Sequence, residues 1–426
     1  MKRNILIIFT IISVCSSVSA QINWIKYADN PVFIKGPAFY DLTAVGQPTV
    51  LFENDTIKMW YSAVGGDMKS RIGYAWSLDG VNWNKHIDMV LNTGYEGEWD
   101  SKWLDTPEII KLDTCYLLYY YGDSIGYTTS LDGVTHSAIG MAYSYDGINW
   151  TKSLANPIFT KGDIGDWDGT WIESPAILYN ESTDELQMWY NGSDTATWKI
   201  QIGLATSSNG INWTKHPSNP VLQNGDFGTY DDMWLGTPAV IYKNNYYEMW
   251  YSAAGSIDYN TTTFKFDTLR ISYATSDDGI NWEKNQHNPL FNTGSLPYNP
   301  SIDEGGPWAP DVIFDSDSNQ YKMWFEANGG LLLAKSDTGF FSNIYENEVE
   351  NSQLYISPNP ANNVIKVIAS DYTDAIIKLF ELSGKQVFSS HFNSEMIIDV
   401  NNFQAGVYLI KIVSEKKEIV KKILVE

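Results

Sequence analysis

The sequence predicts an all-β protein: a five-bladed β-propeller followed by a small C-terminal β-sandwich. A unit of roughly 65 residues recurs five times between positions 37 and 341, with its strands in the same order each time. The stretch that ends the full units also stands alone at the N-terminus, and it is missing from the last unit. A detached strand at one end and a missing strand at the other indicate a ring, closed by pairing the first strand into the last unit.

The detached stretch is residues 24–36, reading WIKYADNPVFIKG. Its Trp, Lys, Asn, Pro and Gly recur at identical offsets in three later copies, which begin at Trp150, Trp213 and Trp282. Each copy follows an Asp-Gly or Asn-Gly pair, the residues preferred in two-residue hairpin turns. We therefore expect this stretch to form the fourth strand of each unit.

A recurrent proline aligns the other three strands of the five units. An apolar strand follows each proline, an aromatic strand comes next, and a third strand such as IGYA or IGLA precedes the turn. The aligned prolines are Pro48, Pro107, Pro175, Pro238 and Pro310.

The ends of the chain have their own compositions. Residues 1–20 resemble a secretory signal, because Lys2 and Arg3 precede a short apolar run and Val18-Ser19-Ala20 offers a cleavage site. The run is too short to span a bilayer, so we expect no transmembrane segment. We assign residues 21–341 to the propeller, 342–353 to a polar linker, and 354–426 to the sandwich.

The charge of the chain restricts its partners. Asp and Glu number 51 against 28 Lys and Arg, a formal net charge of −23, which disfavours nucleic acid and anionic lipid. Without a His/Cys cluster we expect no catalytic metal and no cofactor, although a structural calcium ion remains an open alternative. Cys115 has no cysteine partner once the signal is removed, so no disulfide is expected, and we expect a monomer.

The C-terminal region carries a specific set of short motifs. They are Pro358-Asn359-Pro360, Gly384-Lys385, Gly406, Tyr408 and Lys421-Lys422. In this order they resemble the C-terminal sorting domain of the type IX secretion system. The resemblance implies that the type IX machinery is a partner, and that the protein crosses the outer membrane to be released or held at the cell surface.

The repeat separates structural residues from candidate site residues. Seven residues before each proline is an aspartate, and a residue found five times indicates a turn or cap acceptor. These aspartates are Asp41, Asp100, Asp168, Asp231 and Asp303. Trp103 and Trp171 also recur, so packing is their default role, but tryptophan faces suit sugar rings and we retain both as substrate-binding candidates.

Two residues before the proline the pattern changes from unit to unit. The five residues are Gly46, Asp105, Glu173, Gly236 and Trp308. Neighbouring units place carboxylates here, while two others place glycine, which we interpret as room left for a small ligand. Trp308 is a further substrate-binding candidate. The competing interpretation of the two acids is exposed or turn-capping side chains.

Glu173-Ser174-Pro175 resembles the general-acid motif of the five-bladed glycoside hydrolases of families 43 and 32. The resemblance implies that Glu173 protonates the leaving group and that Asp105 orients and tunes it, keeping the acid protonated near neutral pH. These families place their base or nucleophile in an Asp-Pro, which this propeller lacks. Asp311 is our candidate for the third catalytic carboxylate, with Glu304 and Glu326 as alternatives; we also assign Glu326 to substrate binding.

The type of reaction depends on the arginines. A related group, the family 130 type, uses phosphate in place of water, and phosphate capture normally requires clustered arginines. After the signal only Arg71 and Arg270 remain, both in the third strands, where we consider them substrate-binding candidates. We therefore expect a glycosidase that hydrolyses poly- or oligosaccharide. The competing class is a non-catalytic glycan-binding propeller or a surface adhesin.

Overall fold

The chain divides into two compact units, residues 1–340 and 341–426. The computed structural model describes residues 23–336 apart from 113, 126–135, 195, 257–266, 293–305 and 328, and residues 354–425 apart from 358–360, 362, 370–371, 373, 382–384, 404–405 and 415–417. The predicted signal, the predicted linker, Asp303 and Glu304 lie outside these ranges. Within them, no helix is long and apolar enough to cross a membrane.

The predicted all-β class is confirmed, and in the described residues the only helical element is a single 3-10 turn at Phe39–Asp41. The N-terminal strands are β1 (Trp24–Lys26) and β2 (Phe33–Ile34). Unit 1 contains β3 (Ala44–Glu53), β4 (Thr56–Val64), β5 (Ser70–Ser77) and β6 (Asn84–Lys85). Unit 2 contains β7 (Trp103–Lys111), β8 (Tyr116–Asp123), β9 (Ala138–Ser144), β10 (Thr151–Lys152) and β11 (Phe159–Thr160).

The remaining units follow the same order of strands. Unit 3 contains β12 (Trp171–Asn180), β13 (Glu185–Ser193), β14 (Ile200–Ser207) and β15 (Thr214–Lys215). Unit 4 contains β16 (Trp234–Lys243), β17 (Tyr246–Ala254), β18 (Arg270–Ser276) and β19 (Glu283–Lys284). Unit 5 contains β20 (Trp308–Asp315), β21 (Gln320–Ala327) and β22 (Gly330–Ser336).

Each unit is an antiparallel sheet in which consecutive strands pair. Units 3 and 4 join into one eight-stranded sheet through a single parallel pair, Ile200 with Trp234. In the described residues, the strand pairing does not run continuously from unit to unit around the whole set. Side chains connect them instead, since the first strands β3, β7, β12, β16 and β20 contact one another in that order and β20 contacts β3.

The N-terminal strands belong to the sheet of unit 5. β1 pairs antiparallel with β22, with Trp24 opposite Ser336, and β2 pairs with the other end of β22. The Asn30 side chain accepts from the Leu333 N–H at 2.8 Å and donates to its carbonyl at 3.0 Å. The N-terminal strands β1 and β2 therefore occupy the position that the fourth strand has in the other units.

Aromatic residues of the second strands hold neighbouring units together. These strands carry adjacent aromatic residues, and Trp60, Trp189, Trp250 and Trp324 are completely buried. The Trp60 indole donates to the Gly147 carbonyl of unit 2 at 2.8 Å. The Trp324 indole of unit 5 donates to the Gly80 carbonyl of unit 1 at 2.9 Å, so the last unit packs on the first.

The prediction of two-residue hairpin turns was wrong. In unit 1, residues 78–83 separate β5 from β6, and the other full units have connections of the same length. The Asp79 carboxylate accepts from the N–H groups of Val81 and Asn82, both at 2.8 Å, which makes this connection a capped loop. Gly80 has φ +77°, the left-handed conformation that glycine adopts without strain.

The four recurrent aspartates that the structure describes are buried and form ion pairs with lysines rather than the expected turn caps. The Asp168 carboxylate lies 2.6 Å from the ammonium of Lys215, the lysine of the fourth strand in the same unit. Asp168 also accepts from the Tyr190 hydroxyl at 2.9 Å. The equivalent pairs are Asp41–Lys85, Asp100–Lys152 and Asp231–Lys284. In units 1 to 4 these acids tie the segment before the first strand to the outer strand of the unit.

The C-terminal unit contains two sheets with a common buried core. Its strands are β23 (Leu354–Ser357), β24 (Val364–Ala369), β25 (Ala375–Glu381), β26 (Gln386–Phe392), β27 (Glu395–Asp399), β28 (Gly406–Val413) and β29 (Glu418–Val425). The sheet orders are β23-β24-β27 and β26-β25-β28-β29. Ile365 and Ile398 of the first sheet and Ile377 and Ile410 of the second belong to that core.

Candidate active site

All five first strands contain the same bulge at the recurrent proline. The register breaks between the residue two before the proline and the residue after it, leaving two residues unpaired. The residue before the proline adopts a positive φ in every unit: Gln47 (45°), Thr106 (42°), Ser174 (54°), Thr237 (45°) and Ala309 (46°). The repeated bulge places equivalent side chains of the five units at one level along the first strands.

The backbone N–H at the bulge is satisfied by a side chain from the preceding unit. Ser252 Oγ accepts from the Ala309 N–H at 2.9 Å, and Asn191 Oδ1 accepts from the Thr237 N–H at 3.2 Å. Glu326 takes this position in unit 5, and its Oε2 accepts from the Gln47 N–H at 3.2 Å. Glu326 therefore places a carboxylate where three other units have Ser62, Asn191 and Ser252.

Asp105 and Glu173 lie on the neighbouring first strands β7 and β12. Both side chains are buried, with 5% and 4% of their surface exposed. Burial, with the charges of Asp123, Glu173 and Asp105, raises the pKa of Tyr121 well above its usual value. Both candidate acids therefore lie within electrostatic range of the same phenol.

Glu326 lies directly over Gly46, so the interpretation of this glycine as room for a ligand was wrong. A Cβ at position 46 would overlap the Glu326 carboxylate, and a Cβ at Gly236 would lie 2.7 Å from the Trp234 indole nitrogen. Burial, followed by the Asp105 charge, raises the pKa of Glu326 to about 8, although the Gln47 N–H and the Trp308 indole donate to its carboxyl. A carboxyl with this pKa is mostly protonated at neutral pH.

The Gln47 side chain connects the bulge of unit 1 to Asp105. With its nitrogen toward these groups, Gln47 donates to Asp105 Oδ1 at 2.5 Å and to Ser62 Oγ at 2.9 Å. In the opposite orientation the amide oxygen would face the Asp105 carboxylate, which has no proton to donate when it is ionised, so the orientation with nitrogen toward Asp105 is the one that matches an ionised Asp105. One residue thus binds Glu326 through its backbone and Asp105 through its side chain.

Asp311 belongs to a different pair of acids. It lies just after the proline of unit 5 and accepts from the Val50 N–H at 2.5 Å. Burial raises its pKa to about 7. Burial, followed by the Asp311 charge, raises the pKa of Glu108 well above its usual value, and Glu108 accepts from the Ile177 N–H at 3.0 Å. The structure therefore groups Asp311 with Glu108, and Glu326 with Asp105.

Sequence reasoning missed Glu108, although the repeat contained its signal. The residues after the proline are Thr49, Glu108, Ala176, Ala239 and Asp311, so acids interrupt this position in two units. Glu108 and Asp311 line a central cavity of about 30 Å³, together with the five prolines. That volume suits a water molecule and is far too small for a sugar ring.

The tryptophan candidates have different surroundings. Trp103, Trp171 and Trp308 are all half-buried at the starts of their first strands. Trp171 packs edge-to-face against Trp234 of the next unit, with 6.3 Å between ring centroids. Trp308 donates to Glu326. A sugar-binding role for these three residues stays a prediction.

Both arginine candidates lie in third strands and form bidentate ion pairs with an aspartate that precedes the same strand. Arg71 donates to the two Asp67 oxygens at 2.9 and 2.6 Å, and its Nε donates to Asn92 Oδ1 at 2.9 Å. Arg270 donates to the two Asp267 oxygens at 2.8 and 2.7 Å. The structure thus gives both guanidinium groups partners other than a substrate, and their predicted role in binding substrate stays a prediction.

The described residues contain no group of three or more His, Cys, Asp or Glu side chains arranged to hold a metal ion. The structural calcium ion therefore stays a prediction.

Comparison with known sequences identifies the C-terminal unit. Residues 355–426 match the family model of the secretion system C-terminal sorting domain. Over 297 residues, the chain is 24% identical to an uncharacterized protein of Mycobacterium tuberculosis, covering 68% of this chain and 86% of that protein. A shorter segment of 105 residues is 29% identical to a 1,2-beta-oligomannan phosphorylase of Thermoanaerobacter sp., covering 23% of this chain and 35% of that enzyme.

Solved structures share the fold of the larger unit. A putative glycoside hydrolase of Parabacteroides distasonis superimposes with a TM-score of 0.58 at 16% identity, covering 74% of this chain and 97% of that one. A member of the GH130 family of mannoside phosphorylases, described with hydrolases that target β-1,2 mannosidic linkages in Candida mannan, gives 0.56 at 16% identity over 78% and 96%. The chain therefore carries a secretion-system C-terminal sorting domain, and its structural neighbours are glycoside hydrolases of the family 130 and family 43 type, which have propeller folds.

Proposed function

We propose that residues 21–341 form a five-bladed propeller closed by the N-terminal strand, and that this propeller is a glycosidase. Three contacts between the ends of the chain support closure: the β1–β22 pairing, the Asn30–Leu333 hydrogen bonds, and the Trp324 indole on Gly80. The cyclic order of contacts among the first strands supports the same arrangement. The neighbouring glycoside hydrolases support carbohydrate as the substrate.

The observation that carries the proposed activity is the set of carboxylates around Gln47. Glu326 and Asp105 both bind Gln47, and Asp105 and Glu173 both lie near Tyr121. Glycoside cleavage requires a protonated carboxyl that donates to the leaving oxygen and an ionised carboxylate that activates water or attacks the anomeric carbon. We propose that Asp105, Glu173 and Glu326 together supply both states.

We assign roles by combining the resemblance with the geometry. Glu173 is the acid and Asp105 orients and tunes it, as the Glu-Ser-Pro motif implies. Glu326 replaces Asp311 as the third carboxylate, because Glu326 contacts the Asp105 group whereas Asp311 pairs with Glu108. The raised pKa of Glu326, about 8, keeps this third acid mostly protonated near neutral pH, so we propose that Asp105, the ionised member of the set, also activates the water.

Hydrolysis fits this site better than phosphorolysis. A phosphate site needs donors that are free to converge on the anion. Arg71 and Arg270 already bind Asp67 and Asp267 in bidentate geometry, and they lie in units 1 and 4. We propose water as the acceptor and poly- or oligosaccharide as the substrate, with β-1,2 mannosides the first class to examine because relatives act on them.

The sorting domain supports export. We propose that an N-terminal signal directs the chain across the inner membrane and that type IX machinery carries it across the outer membrane. The propeller would then act on glycans outside the cell, either released or attached at the surface.

The experiment is a reducing-end assay of the protein on β-1,2-mannooligosaccharides, arabino-oligosaccharides and algal polysaccharides, with and without inorganic phosphate. If water is the acceptor, free sugar should form at equal rates with and without inorganic phosphate. Production of sugar 1-phosphate only with phosphate would reject the assignment of water as the acceptor.

A non-catalytic glycan-binding propeller is the second candidate. The burial of Asp105 and Glu173 favours it, since side chains only 5% and 4% exposed offer little surface to a substrate. This function predicts saturable glycan binding by calorimetry without turnover, both in the wild type and in Glu173→Gln.

A further inference from the structure

We propose that Gln47 is a positioning residue of the carboxylate site, which keeps Asp105 ionised and leaves the shared proton on Glu326. The catalytic consequence of this role rests on the glycosidase function proposed above. The proton placement itself depends only on the contacts of Gln47, so it can be measured whether or not the protein turns over a sugar.

Gln47 bridges the two acids through different parts of the same residue. Its side-chain nitrogen lies 2.5 Å from Asp105 Oδ1 and 3.3 Å from Oδ2, so the amide points at the carboxylate. Its backbone N–H lies 3.2 Å from Glu326 Oε2. A single residue therefore spans the two acids, and only 8% of its surface is exposed.

The hydrogen-bond donors around the two acids decide which one carries the proton. Two carboxyl groups close together in a buried site do not both ionise at neutral pH, and the one with better donors keeps its charge. Asp105 receives the Gln47 amide and also lies 3.5 Å from the Ser70 hydroxyl. Glu326 receives the Gln47 backbone N–H at the longer distance of 3.2 Å and the Trp308 indole, and its burial over Gly46, where unit 5 packs on unit 1, disfavours its charged form.

The other units show what the bulge needs at the position before the proline. This residue is Thr106, Ser174, Thr237 or Ala309 in those units. Thr237 has the same φ as Gln47, and its hydroxyl contacts Ser252. Ala309 occupies the position with φ 46° and no polar side chain. The bulge therefore does not require an amide, and the long polar side chain of Gln47 serves the acids beside it.

The test is infrared spectroscopy of protein labelled with ¹³C-glutamate, followed as a function of pH. Glu108 and Glu173 can also contribute protonated carbonyl bands, so the Glu326 band is taken from the difference between the wild type and Glu326→Gln, and it should disappear with a midpoint near pH 8. Gln47→Met keeps the length and burial of the side chain but removes the donor. We expect it to weaken the Glu326 band at pH 7 by at least about twofold, because Asp105 then competes for the proton.

Thr237→Val is the matched control. It removes a polar group at the equivalent bulge of unit 4 and should leave the Glu326 band unchanged. If Gln47→Met does not fold, Gln47→Ala replaces it, because Ala309 already tolerates this backbone. An unchanged Glu326 band in the Gln47 variants, or no such band in the wild type, overturns the proposal. If the Glu326 band weakens in the Gln47 variants but the wild type turns over no sugar, the positioning role is supported and the glycosidase function is rejected.

Discussion

Glu326 on the second strand of unit 5 lies over Gly46 on the first strand of unit 1, with no space for a side chain at position 46. The contact joins the last unit to the first at the level of the candidate acids. It also explains why unit 1 has glycine where the next two units have Asp105 and Glu173. The glycine accommodates an acid contributed by a neighbouring unit.

Gly46→Ala should therefore displace the Glu326 carboxylate. Overpacking of this kind costs about 1–3 kcal/mol in the free energy of unfolding, which urea denaturation measures. The same substitution in a Glu326→Ala background should cost less, because the overlapping carboxylate is gone. Equal costs in the two backgrounds would show that the two side chains do not compete for this space.

The Glu108–Asp311 pair should make stability fall as the pH rises. The pKa of Asp311 is raised from 3.8 to about 7, so the folded state binds this proton more tightly than the unfolded state. The favourable contribution is complete below about pH 4 and is lost as the pH passes through about 7. Asp311→Asn should remove about 1–3 kcal/mol of the difference in unfolding free energy between pH 5 and pH 8.

Asp315→Asn, on the same strand, is the matched control. Burial acts to raise the pKa of Asp315, but hydrogen bonds from Lys322 and Ser318 outweigh it and lower the pKa to about 2. Asp315 is therefore ionised at both pH values, and this variant should lose the same stability at pH 5 and pH 8. A wild type equally stable at both values would contradict the buried pair.

Lys215→Met should lower the free energy of unfolding of the propeller and leave the turnover of the folded protein unchanged. It removes the partner of the buried Asp168, and an unsatisfied buried acceptor costs about 1–3 kcal/mol. The Tyr190 hydroxyl still donates to Asp168, which limits the loss. Activity below the unfolding transition should equal that of the wild type, as the assay and urea denaturation together would measure. Loss of turnover in a folded Lys215→Met would assign Asp168 a role beyond structure.

Deletion of residues 355–426 should stop export at the periplasm, because the sorting domain is the signal for passage across the outer membrane. Immunoblots of periplasm, cell surface and medium measure the distribution. Since residues 1–340 form a compact unit of their own, we expect the truncated protein to remain folded. A truncated protein that reaches the medium as efficiently as the full chain would contradict this role of the domain.

The sequence was most informative where the repeat supplied an internal comparison. The strand order of the units and the importance of the position two residues before the proline both followed from aligned units. Distances between units did not follow, because nothing local in the sequence indicates that Glu326 reaches over Gly46 or that Asp311 meets Glu108. The Asp-Gly turns were mistaken for two-residue hairpins because the following Val81 and Asn82 are held by Asp79 and extend the loop.

Steady-state turnover of matched variants tests most directly whether Glu173 and Glu326 act with Asp105 while Asp311 does not. Glu173→Gln and Glu326→Gln should each lower kcat by about 10²-fold or more, the usual contribution of a positioned acid or base. Asp311→Asn should stay within a few-fold of the wild type. Full turnover in Glu173→Gln or Glu326→Gln, or loss of turnover in a folded Asp311→Asn, would contradict this assignment of the acids.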